Sequence, residues 1–84
     1  MEYVIVAVRS RATVVALSEY LTKMGIKNQI VNTPKDAGVG CGLSVKISPN
    51  LLLAVKRAVT IKKVNVAGYF LVKVVGGKSF IKAI

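Results

Sequence analysis

The chain's one thiol, Cys41, stands between glycines in the stretch "NTPKDAGVGCGLSVKI", Asn32 to Ile47, and is the residue best suited to covalent chemistry. With glycine at 38, 40 and 42, only Val39 and Leu43 carry side chains beside the sulfur, so another molecule can approach it closely. A reactive cysteine also needs thiolate character. Successive backbone amides in the turn after Pro34, with Lys35 or Lys46 nearby, would stabilise a negative sulfur, and Asp36 would oppose it. The blander reading is that a lone cysteine is a small buried apolar residue and that Gly40 and Gly42 only shape a turn. "GVGCG" also reads as an anion nest, but it lacks a Walker or dinucleotide fingerprint.

The rest of the inventory narrows the chemistry. Glu2, Glu19 and Asp36 are the only carboxylates and there is no histidine, so no imidazole can activate a serine or cysteine and hydrolase schemes lack their parts. One cysteine permits no internal disulfide, and without histidine a four-ligand zinc site within one chain is excluded in practice. No cofactor is expected. The length of 84 residues bounds the chain to one small domain. Met1-Glu2 before "YVIVAV" is not the positive region of a secretory leader, and that run is too short to span a bilayer. A cytoplasmic protein with a reduced thiol is the expectation. The net charge of +10 raises nucleic acid, acidic proteins or a membrane surface as partners.

Positioning the thiol requires a scaffold. "YVIVAV", Tyr3 to Val8, reads as a strand apolar on both faces. Ser10 caps a helix from about Arg11 to Met24, with Val14, Leu17, Leu21 and Met24 in one stripe and Gly25 as its stop. "KNQIVNT" reads as a second strand ended by Pro34, and residues 35–40 as a loop. "GLSVKI" follows as a third strand, with Leu43, Val45 and Ile47 on one face and Ser44 and Lys46 on the other. Ser48-Pro49 is a helix opening in which serine can cap free amides, and the second helix, "NLLLAVKRAVTIKK", buries Leu51, Leu52, Val55, Ala58 and Val59. "VNVAGYFLVKVV" supplies a fourth strand, and Gly76-Gly77 a hairpin turn into "KSFIKAI".

The order β-α-β-β-α-β predicts an α+β, ferredoxin-like sandwich, an antiparallel sheet with both helices on one face. Residues 1–75 are expected to form the main domain and residues 76–84 a C-terminal extension, either hairpin strand or tail. Because "YVIVAV" is apolar on both sides, the helix-free face needs a cover, either a second copy in a homo-oligomer or the extension itself.

The run from "YVIVAVRS" through a helix ending in "MGI", then "VNTP", a small-residue loop into "CGLSVKI", a second helix and "VNVAGYF" resembles the small bacterial selenium/sulfur (Se/S) carrier protein-like family. The resemblance covers Tyr3 to Tyr69. Its most specific part is a proline ahead of a Cys-Gly-apolar triplet, here Pro34 and Cys41-Gly42-Leu43. It implies that Cys41 is the carrier residue, holding sulfur or selenium as a persulfide or selenosulfide between a donor and an acceptor enzyme. The serines common before the cysteine in the family are replaced here by "AGVG".

Two other classes compete. A nucleic-acid binder suits the charge, but "GLSVKI" has no aromatic residue, and Tyr3, Tyr20, Tyr69, Phe70 and Phe80 are scattered along the chain. A structural or regulatory assembly module with an inert cysteine is the other.

Overall fold

A computed structural model describes residues 1–38 and 40–84. The elements run β1 (Glu2–Val8), α1 (Arg11–Lys23), β2 (Gln29–Asn32), β3 (Leu43–Ile47), α2 (Leu52–Lys62), β4 (Val66–Val75) and β5 (Lys78–Ala83). The five strands form one open antiparallel sheet in the order β2-β3-β1-β4-β5, which puts β1 at its centre. The fold is α+β, with two helices and a five-stranded sheet.

Local chemistry explains the helix ends. The Ser10 side chain accepts from the Thr13 amide at 3.1 Å, which satisfies one of the free donors at the start of α1. At the other end the Ile26 amide reaches back to the Leu21 carbonyl and the Gly25 amide to Thr22, so the chain leaves α1 in a Schellman turn. α2 closes in the same way, but with Lys63 rather than glycine in the left-handed position, at φ 54°. Ser48 departs from the expectation. It makes no side-chain cap, because a 3-10 turn, Pro49–Leu51, precedes α2 and its own i+3 bond from the Leu51 amide to the Ser48 carbonyl occupies the entry.

Both helices pack on one face. Val4, Val6 and Val8 of β1 meet Val14, Leu17 and Leu21 of α1 and Val55, Ala58 and Val59 of α2 in one buried cluster, joined by Val45 and Ile47 of β3. Each of the larger side chains there contributes about 1.5–3 kcal/mol by leaving water.

On the opposite face Ile5, Ala7 and Val72 are also fully buried, although no helix covers them. Part of the cover is the β2–β3 loop. Its 3-10 turn, Lys35–Ala37, approaches β5, and its Gly40 lies against Ala7, so a segment that starts at one sheet edge crosses the helix-free face to the other. The two-sided apolar pattern of β1 is thus met in part by the chain itself. "KSFIKAI" is not that cover: β4 is ten residues long, the Gly76-Gly77 turn is tight, and β5 lies beside β4 from Val75↔Lys78 to Phe70↔Ala83, extending the sheet. Among the described residues no helix is long and apolar enough to cross a membrane.

Candidate functional site

The loop that carries Cys41 is closed at its base. Where the ladder of β2 and β3 ends, the Thr33 amide donates to the Gly42 carbonyl at 2.8 Å and the Thr33 and Ser44 hydroxyls share a hydrogen bond of 2.6 Å. Ser44 is fully buried, and Thr33 is its side-chain partner. Pro34 is half-buried and starts the 3-10 turn, its carbonyl accepting from the Ala37 amide.

The return limb is tied to β1. The Cys41 amide donates to the Val8 carbonyl at 3.1 Å, which sets the cysteine beside the turn from β1 into α1. Gly40, at φ 84°, runs so close to β1 that a Cβ there would stand 2.7 Å from the Val8 oxygen. Only glycine allows that approach in that conformation. Gly42 has φ 92° and open space around it, so it is held to glycine by conformation and not by contact.

The thiol is half-buried. It packs against the helix-side core, and its Sγ lies 3.8 Å from the Leu43 carbonyl, within reach of a weak S–H donation. Both flanking glycines are exposed, which leaves the approach from the loop side free of side chains at 40 and 42. Val39, expected beside the sulfur, lies outside the described residues, as does the side chain of Asp36.

The structure does not bring Lys46 to the thiol. Lys46 sits toward the other end of β3 on the helix-free side, its ammonium 4.4 Å from the centre of the Tyr3 ring, whereas Cys41 packs on the helix side. Lys35 is exposed on the turn that leads toward β5. Among the described residues the hydrogen-bond partners of Cys41 are backbone carbonyls, Val8 for its amide and Leu43 for its thiol, and its other contact is with the apolar core on the helix side. Sequence reasoning missed Thr33, Ser44 and Val8 as the groups that hold the loop. The alternation in "GLSVKI" that put Ser44 on the face away from Leu43 was the one available signal.

Among the described residues no three of histidine, cysteine, aspartate and glutamate gather as a metal site. Two hollows among the described residues are lined by residues other than Cys41 and its loop. One is lined by Tyr3, Asn28 and Lys46, and a second between the helices by Tyr20, Lys23 and Lys62. No curated protein and no solved structure matches the chain. A family model does: the chain belongs to the family described as "Putative Se/S carrier protein-like", which matches residues 2–71.

Proposed function

We propose that Cys41 is a carrier thiol that accepts a sulfur or selenium atom from a donor enzyme and passes it to an acceptor. The observation that supports this most is the tie of the Cys41 amide to Val8, which holds the chain's only thiol at the rim of the sheet between two exposed glycines. In the first step the Cys41 thiolate attacks the terminal sulfur of a donor persulfide, R–S–SH. The new bond is Cys41 S–S, the donor S–S bond breaks, and the donor sulfur leaves as the thiolate R–S⁻. The transferred atom stays at the oxidation level it had, so no electron acceptor is needed, and a selenosulfide forms in the same way from R–S–SeH. Attack by an acceptor thiolate on the outer atom reverses the exchange. No general base is required once the thiol has ionised, which suits a chain with three carboxylates and no histidine.

We also read residues 1–75 as a ferredoxin-like unit carrying this site and residues 76–84 as an added strand. Supporting this are the antiparallel pairing of β1 with both β3 and β4, the shared helix face, and a family match that ends at residue 71.

A second reading has its own observation. The thiol is packed against the core and directed to the Leu43 carbonyl, as in a structural cysteine of an assembly module. Alkylation separates the two. The carrier reading expects iodoacetamide to modify Cys41 in the folded protein without denaturant, and a thiol that reacts only after unfolding would favour the structural reading.

A further inference from the structure

Two helices do not cover five strands. On the helix side, α2 reaches as far as β4, where the Lys56 ammonium lies 5.1 Å from the centre of the Tyr69 ring. Beyond it the β4–β5 ribbon is bare: Lys78, Phe80 and Lys82, the β5 residues on that side, are all exposed, Phe80 at 59%.

The composition of this bare strip is regular. Its successive cross-strand pairs are Leu71↔Lys82, Lys73↔Phe80 and Val75↔Lys78, so each joins one apolar side chain to one lysine and the two kinds alternate in both directions. Lys73 has Glu2 at 3.9 Å, but Lys78 and Lys82 have no ion-pair partner among the described residues. Beside the strip, α2 turns Leu53 and Lys56 outward into one shallow hollow, with Leu53 at 74% exposure. Apart from Leu71 at its inner edge, the strip lies outside the family match, and its β5 residues, Lys78, Phe80 and Lys82, belong to the C-terminal extension.

We infer that this strip is a docking surface for an acidic amphipathic helix of a partner protein, seated beside α2 in the position of a third helix. Charge complementarity selects the occupant. Lysines spaced between apolar residues match a helix with an apolar stripe flanked by carboxylates. A second copy of this chain would bring lysines against lysines. Leu71 and Val75 are aliphatic and offer no stacking surface to nucleic-acid bases, leaving Phe80 as the one exposed ring in the strip.

The test uses the full chain and a synthetic helical peptide with leucines at i, i+3, i+4 and i+7 and glutamates on both flanks. Amide chemical shifts should move at Lys73 and across Lys78–Lys82, and added salt should weaken the complex. Exchange of Lys78 and Lys82 for glutamate should lower affinity by about tenfold or more. Cys41→Ser should leave it unchanged, which separates this result from the fate of the carrier reading. Absence of binding at low salt, or shifts centred on another surface, would overturn the inference. So would tighter binding of a single-stranded oligonucleotide or of anionic lipid vesicles through the same two lysines.

Discussion

A Cβ on Gly40 would stand 2.7 Å from the Val8 carbonyl oxygen, and the next residue, Cys41, donates its amide to that same oxygen at 3.1 Å. The cysteine is thereby held by the central strand of the sheet, and glycine at 40 is the condition for it. The run of glycines in the sequence does not by itself disclose this contact with the central strand.

Two substitutions separate contact from conformation. Gly42→Ala meets open space and bears only the strain of a positive φ, so it should cost about 1 kcal/mol in urea unfolding. Gly40→Ala bears the same strain and also forces the loop off β1, adding roughly 1–3 kcal/mol. Equal losses from the two would contradict the contact.

The Thr33–Ser44 pair should behave asymmetrically. Thr33→Val leaves the fully buried Ser44 hydroxyl without its partner, a loss of about 1–3 kcal/mol, whereas Ser44→Ala leaves a half-buried Thr33 hydroxyl that water can reach, at about 1 kcal/mol. The double variant should lose less than the sum of the two. Additive losses in a double-mutant cycle would show that the bond carries no coupling.

Burial raises the Tyr69 phenol above its ordinary value of 10.0, so the folded state holds that proton more tightly than the unfolded chain does. The stability this provides is fully present below pH 10 and is lost as pH rises through the raised value. Tyr69→Phe should flatten that alkaline decline relative to the native chain, and identical pH profiles for the two proteins would contradict it.

Much of the fold was legible because its signals are local. The continuous β-branched run of β1, the Ser10 and Gly25 ends of α1 and the Gly76-Gly77 turn each depend on neighbours a few residues away. Ser48 misled because a capping residue and a 3-10 entry share the same Ser-Pro opening. The site was less legible, since its contacts join distant positions. Nothing in "AGVGCG" shows that the loop crosses the sheet toward β5 or that Val8 receives the Cys41 amide. Lys46 is close to Cys41 in sequence, yet strand alternation turns it to the helix-free face and onto Tyr3. Asn28 gave no signal either, although its side-chain amide ties the residue before β2 to Ser18 and Thr22 of α1.

The central claim is that Cys41 takes up a chalcogen atom, and intact mass after incubation with a persulfide donor tests it most directly. The native chain should gain the mass of one sulfur atom, lose it on reduction, and gain that of one selenium atom from a perselenide donor. Cys41→Ser should gain neither. A native chain whose mass stays unchanged in its folded state, while a small-molecule thiol is loaded under the same conditions, would contradict the account.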